Sequence, residues 1–405
     1  MPTIGLVLPT SSYRGPDFVA AADELGIDLV VAADASLGIT SGRILDVVIV
    51  DCGDSATAAN LLVERSRVHQ LDAIVGVDDA GVMTAALASE QLGLAHNTPS
   101  SVAATRDKLE MRHLLATHHV PQPEFAELET TMSPAAVAER IGFPLVVKPV
   151  SLSGSRGVIR VDGQSELEAA VERIRGIQAE AGIAGEQLLF EEYMEGEEIA
   201  VEGLVSTAGF EALAVFDKPD PLGGPFFEET LYVTPSSHAD APLGEAIALA
   251  EDAARALGLA FGPIHAEVRL TPSGAKVIEV AARSIGGLCG RSLKFGMLSQ
   301  SLEVLLLRAA LGMNRRGMGV VGRSSGAMMI PIPRDGVLRA VRGREAVAEV
   351  DGVEEITITV PIGRQIRSLP DGDRYLGFII ARGDDPAFVE ASLREAHDLL
   401  HIEIE

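Results

Sequence analysis

Short apolar runs alternate with amphipathic stretches through roughly the first hundred residues. IGLVLP, IDLVVAA, DVVIVD and LDAIVGV have the continuous apolar character of strands buried on both faces of a parallel sheet. Between them, Gly15–Leu25, Ser55–His69 and Ala80–Leu92 carry helical spacing of apolar positions. The alternation predicts a doubly wound α/β domain. The Gly-x-Gly-x-x-Gly fingerprint is missing after the first strand, where PTSSYRG stands, which argues against a nicotinamide or flavin cofactor.

The pattern then changes. NTPSSVAATRDK, Asn97–Lys108, predicts a turn entering a helix that continues to about His118, before the proline-marked VPQPEF. PLVVKPV and LLFEEYM read as strands, with a helix at Ser165–Ala181 between them. EIAVEGLVS and EALAVFDKP form an expected antiparallel pair turning at Thr207-Ala208-Gly209. Pro242–Leu257 is an alanine-rich helix, and HAEVRLT and AKVIEVAAR make a second strand pair around Pro-Ser-Gly. A helix at Gln300–Leu311 leads into a glycine-rich linker, Gly312–Gly326. Beyond it MMIPIP, ITITVPI and YLGFIIARG are strand-like, and a helix closes the chain near Pro386–Leu400. Three domains are expected: α/β over 1–103, a central domain over 104–312 and a strand-rich cap over 313–405.

Composition narrows the partners. The 405 residues allow several cores, and no run of roughly eighteen apolar residues is present to span a membrane. The N-terminal MPTIGLVLPTSS reads as a first strand rather than a leader, and two cysteines, Cys52 and Cys289, fit a reduced compartment; a cytoplasmic location is expected. A net charge of −25, with no Trp and 4% aromatics, opposes nucleic-acid binding over a broad surface. A small anion held by a few local cations remains compatible.

Three stretches carry chemistry. In VVKPVSLSGSRGV, Val146–Val158, Lys148 ends an apolar strand, so its ammonium needs an anionic partner. The following Ser153, Gly154, Ser155, Arg156 and Gly157 suit either a flexible turn or a loop whose N–H groups approach a polyanion. The order is not that of a Walker loop, whose lysine follows its glycines. Lys108, in TRDKLEMR, is either a solvated helix residue or a further cation of the same site. EEYMEGEEI is either a plain hairpin or a hinge facing an adenine, with Glu198 accepting ribose hydroxyls. In HAEVRLTPSGAKVIEVAAR, Glu267 and Glu279 fall on two strands joined by a tight turn, about 5 Å apart if cross-strand partners. They are either solvated edge carboxylates or oxygen ligands of a divalent cation, with Arg283 four residues further on. No histidine cluster has zinc spacing.

The order Lys108, Lys148, glycine loop, Glu198, Glu267, Glu279, Arg283 resembles the ATP-grasp superfamily of carboxylate–amine ligases over most of the chain. VFDKPDPLGGPFFEETLYVTPS, GPIHAEVRLTPSG and VIEVAARSIGG resemble the branch of L-amino acid ligases and carnosine-synthase-like enzymes. The resemblance implies an ATP-grasp fold with an N-terminal doubly wound domain and a strand-rich C-terminal cap. It implies ATP and Mg²⁺ (or Mn²⁺) as cofactors, with Lys108 and Lys148 on the α- and β-phosphates. The glycine loop would close over the β/γ end, Glu191, Tyr193 and Met194 would line adenine, and Glu198 would take ribose. Glu267 and Glu279 would ligate the metal, and Arg283 and Arg156 would act in catalysis. The family often has Asn two residues after the second metal Glu; Ala281 stands there. The implied reaction joins a carboxylate to an amine, both small molecules and expected to be amino acids, through an acyl phosphate in a homodimer. The alternatives are a ligase or carboxylase of another metabolite, and a nucleotide-binding module without turnover.

For the substrate ammonium, Asp79 is the first expectation, since LDAIVGV ends on Asp78 and Asp79 at the carboxyl edge of a sheet. Helix capping is the competing role there. Glu228 and Glu229, with no basic neighbour in sequence, are the rival ammonium partners, and Gly286 of SIGG completes the expected substrate set.

Overall fold

The computed structural model describes residues 1–129, 132–313 and 322–405, so the expected linker Gly312–Gly326 lies partly outside the described residues. A four-stranded parallel sheet forms first, in the order Ile44–Ile49, Asp28–Ala33, Thr3–Val7, Ala73–Gly76. The runs of the two inner strands are buried, with Ile4, Leu6, Leu29 and Val31 at 0% exposure, whereas DVVIVD forms an edge strand that leaves Leu45 and Ile49 exposed, so burial on both faces does not hold for it. Helix Gly15–Leu25 follows the first strand and helix Asp79–Leu92 the last. Gly76 is required where that last helix crosses its strand: a Cβ there would lie 2.6 Å from the Val82 backbone. Loops 8–14 and 77–79 therefore leave the same, carboxyl edge of the sheet.

The helix expected over Asn97–His118 is broken in two. Asp107 is extended (φ −117°, ψ 105°), ends helix Pro99–Arg106 and caps helix Lys108–Thr117 by accepting from Leu109 N and Glu110 N. Lys108 becomes the first residue of a new helix, and its N–H donates to Val150 O. It is buried, so the solvated-face reading of Lys108 does not hold.

A second, antiparallel sheet runs Phe125–Leu128, Leu188–Glu192, Leu145–Pro149, Ile159–Val161, with helices Pro134–Ile141 and Gln164–Glu180 packed against it. An eight-stranded sheet follows: Gly274–Ala281, Gly262–Thr271, Glu197–Ser206, Gly209–Asp217, Leu231–Thr234, Ser324–Ile330, Gly377–Gly383 and Val353–Ile358. The C-terminal segment is strand-rich as expected, but three of its strands extend this sheet rather than forming a sheet of their own. Its remaining strands, Gln365–Ile366, Gly336–Arg342 and His401–Ile404, make a small third layer, and helix Pro386–Asp398 packs on the extended sheet. Among the described residues no helix is long and apolar enough to cross a membrane.

Candidate functional site

A cavity of about 510 Å³ is lined by the second sheet, the eight-stranded sheet and the carboxyl edge of the parallel sheet. One part of the lining is apolar: Val146, Tyr193, Met194, Leu222 and Phe227. The Arg160 guanidinium covers the Tyr193 ring from 4.0 Å. Such a lining suits a planar heterocycle, and the expected adenine residues Tyr193 and Met194 are part of it. Glu191 does not present its carboxylate to that lining. It is buried and holds Lys148 Nζ at 2.7 Å and Arg112 Nε at 2.6 Å, so its side chain positions a cation.

Lys148 is 4% exposed and lines the cavity. Burial lowers its pKa, and the Glu191 carboxylate only partly offsets this. Lys108 points into the same cavity, donating to Leu152 O at 2.6 Å and lying 3.3 Å from Glu279. The glycine loop passes above them. Gly154 (φ 64°) and Ser155 (φ 55°) are successive left-handed residues, and both line the cavity with Ser153.

Arg156 and Gly157 do not line the cavity. Arg156 Nε donates to Asp371 O at 3.2 Å, Gly157 N donates to Pro370 O at 2.9 Å, and Arg173 pairs with the Asp371 carboxylate at 2.5 Å. The expected catalytic Arg156 is here a tether between the glycine loop and the C-terminal segment 370–375.

Glu267 and Glu279 are direct cross-strand partners, as expected, and both line the cavity. Around Glu267 the sequence reading missed a charged cluster. Lys218, 7% exposed, contacts Glu198 at 2.5 Å, Glu267 at 3.5 Å and Glu229. Glu198 also pairs with Arg269 at 2.9 Å, so its ribose role would have to compete with two cations. The expectation that no base neutralises Glu229 fails, because Lys218 comes from 11 residues upstream. Glu198, Glu229 and Glu267 offer oxygens within 4.8 Å of one another, yet Lys218 binds all three. A lysine ending an apolar strand in AVFDKP is the signal that singled out Lys148 in LVVKP.

His265 lies opposite Glu202 in register and two residues before Glu267 on the same strand face. Its Nδ1 meets Glu202 and its Nε2 lies 3.4 Å from Glu267, while the other Glu202 oxygen accepts from Ile285 N at 2.9 Å. Burial would discharge the imidazole, but Glu202 and Glu267 raise its pKa to about 9. Burial likewise opposes the charge of Glu267, and Lys218 and His265 overcome it, holding that carboxyl well below the usual range. The cluster thus sets four carboxylates (Glu198, Glu202, Glu229, Glu267) against three cations (Lys218, Arg269, His265). Glu229 absorbs the imbalance. Burial, then the nearby Glu267 and Glu198 charges, outweigh Lys218 and push it up to about 7. A carboxyl raised in the folded state contributes stability below its ordinary value near 4.5 and loses it as pH rises through about 7. Glu229→Gln should therefore melt with a flatter pH dependence than the parent between pH 5 and 8. Parallel melting curves for the two proteins over that window would refute this assignment.

At the far end, Arg283 Nε pairs with Asp79 at 2.9 Å. Burial opposes the Arg283 charge, and the Asp79 carboxylate more than restores it. Asp79 is thus committed to positioning Arg283 and is not a free ammonium acceptor. Asp78 stands at the N-cap position but makes no capping bond, and it lines the cavity. Gly286 also lines it, and a Cβ there would find nothing nearer than Arg283 Nη1 at 4.0 Å. Arg14, 2% exposed, donates to Ser284 Oγ at 2.7 Å and pairs with Glu303 at 2.6 Å, pinning loop 8–14 to loop 283–287.

Family models match three stretches of the chain: an ATP-grasp N-terminal domain over 19–96, an ATP-grasp domain over 141–292 and an L-amino acid ligase C-terminal domain over 328–405. The chain carries an ATP-grasp domain and resembles the L-amino acid ligase branch. The crystal structure of an L-amino acid ligase from Bacillus licheniformis superposes with a TM-score of 0.84 at 25% identity, covering 100% of this chain and 99% of that one. Alanine–anticapsin ligase of Bacillus subtilis is 28% identical over 56% of this chain and 51% of its own length. D-alanine–D-alanine ligase of Cupriavidus metallidurans is 32% identical over 50% of this chain and 62% of its own length. The chain thus matches about half to three-fifths of those two ligases. The ATP-grasp fold accounts for the slot between the second sheet and the eight-stranded sheet.

Proposed function

We propose that this ATP-grasp protein is an ATP-dependent ligase that joins the carboxylate of one amino acid to the amine of another. One observation carries the reading: Glu267 and Glu279 face each other in register, between the Lys108/Lys148 end of the cavity and Arg283. Paired hard oxygens fit Mg²⁺, which would be held by Glu267 and Glu279 and would neutralise phosphate charge there. Ala281 adds no donor.

The adenine would lie in the Tyr193/Met194 slot, with Lys148 and Lys108 meeting the phosphates and the glycine loop covering them. A substrate carboxylate held by Arg283 attacks the γ-phosphorus, the β–γ P–O bond breaks and ADP leaves. The amine nitrogen then attacks the acyl carbon, phosphate departs and the nitrogen loses a proton. The side chains supply position and fixed charge rather than a nucleophile. The tethered glycine loop keeps water from the acyl phosphate.

A coupled ADP-release screen over pairs of amino acids with Mg·ATP tests the proposal. ADP formed only when two amino acids are present, with one C–N product per ADP, is the expected result. ADP release that requires bicarbonate in place of the second acid would instead make it a carboxylase, and no release with any pair would leave a binding module. Lys148→Ala should weaken ATP binding more than Lys108→Ala, since Glu191, itself held by Arg112, fixes the Lys148 head. The loss of one charge-assisted contact is about 1.5–3 kcal/mol. Unchanged ATP affinity by calorimetry would remove Lys148 from the phosphates.

A further inference from the structure

Beyond Arg283 the cavity changes character. Its wall there is made by Tyr13, Ile285, Cys289, Met329, Tyr375 and Phe378. The rings form one assembly: Tyr13 meets Phe378 edge-on at 5.6 Å, and Tyr375 meets it at 6.4 Å. Phe378 is the fixed base, 1% exposed, and Gly287 lets the backbone lie against it, since a Cβ there would be 2.6 Å from the ring at φ 59°. Tyr13 is held by its neighbour Arg14, anchored across the domain junction to Ser284 and Glu303. The wall is built from four separate parts of the chain: Tyr13, Ile285 with Cys289, Met329, and Tyr375 with Phe378.

Charges of both signs line the same cavity. Arg283 lines the cavity, as does Asp78, whose carboxylate makes no capping bond and acts on Arg283 through its charge. A free carboxylate beside a guanidinium is complementary to an ammonium beside a carboxylate. A wall of ring faces and aliphatic groups favours an apolar side chain, since a polar one would give up water for contacts that offer it few partners.

Resting on the ligase reading, we propose that this end binds an α-amino acid with an apolar branched or aromatic side chain. Its ammonium faces Asp78, its carboxylate faces Arg283 and its side chain packs on Tyr13, Met329 and Phe378. Asp78 and the ring wall are then the specificity-determining groups.

Gly286→Val provides the test, because its added methyls enter open cavity rather than the core. In the ADP-release assay the parent should show a KM for Leu, Met or Phe at least on the order of ten-fold below that for Ser, Asp or Lys. Gly286→Val should raise the KM for the large apolar acids, relative to that for Ala, by a similar factor. Asp78→Asn should raise the KM for every α-amino acid and spare that for ATP. Equal use of polar and apolar acids by the parent, or an unchanged large-to-small ratio in Gly286→Val, overturns the proposal. Thermal-shift binding of the same acids with a non-hydrolysable ATP analogue separates the two readings. A shift by Phe or Leu that Gly286→Val abolishes upholds the pocket even if no pair is ligated. A parent that no apolar amino acid shifts overturns it.

Discussion

Lys218→Met should lose about 3–5 kcal/mol of stability, the cost of leaving buried carboxylates without their shared cation. Burial alone would discharge this lysine, but Glu198, Glu229 and Glu267 together hold its pKa well above the ordinary value. Without it, only Arg269 remains beside Glu198 and His265 beside Glu267, and Glu229 keeps no cation. The folded-state pKa of these carboxyls then rises. Stability gained from a raised carboxyl is present below its unfolded value and disappears as pH climbs through the folded one. The defect should therefore be largest near pH 8 and shrink toward pH 5. A second effect follows from geometry. With the ammonium gone, three carboxylate oxygens within 4.8 Å of one another form an oxygen cage. Millimolar Mn²⁺ should raise the melting temperature of Lys218→Met well beyond its effect on the parent, and EDTA should reverse it. A variant that melts like the parent at pH 8 in EDTA would show that Lys218 does not hold the cluster together. Activity should be lost as well, since Glu267 is set by the same cation.

Glu279→Gln should keep the fold and remove most turnover, on the order of 10²-fold or more in kcat. The carboxylate is half-buried at the strand end, directly opposite Glu267, and its volume is preserved in Gln, so little packing changes. What goes is one of two anionic oxygens in the proposed metal site and the anion beside Lys108. Nucleotide affinity measured without metal should be unchanged or slightly stronger, because Lys108 is freed for phosphate. Near-parent kcat at saturating Mg²⁺ would exclude Glu279 as a metal ligand.

Much of this was legible in the residues. Unbroken apolar runs made the inner strands of the parallel sheet legible, because burial on both faces leaves no polar position. Lys148 and the Glu267/Glu279 pair were legible because a charge at the end of a buried strand is costly without a partner. Which partner it takes was not legible. Glu191 goes to Lys148 rather than to a ligand, Asp79 goes to Arg283, and Glu229 goes to Lys218 from another strand. Charge pairing depends on side chains from distant segments, and local pattern carries no record of them. The same limit hid His265 and Arg14, whose partners are 63 and 289 residues away in sequence. The break at Asp107 escaped because helical periodicity persists across it; only the capping geometry separates the two helices.

The tether of the glycine loop to segment 370–375 has a thermodynamic consequence. Arg156 and Gly157 hold Pro370 and Asp371 at one end of that segment, and Tyr375 at its other end forms part of the substrate wall. On the proposed function, lifting the loop to admit a nucleotide would pull on the same short stretch that shapes the pocket proposed for the acid. The two ligands would then share one conformational equilibrium, and whatever factor ATP imposed on amino-acid affinity the amino acid would have to return to ATP.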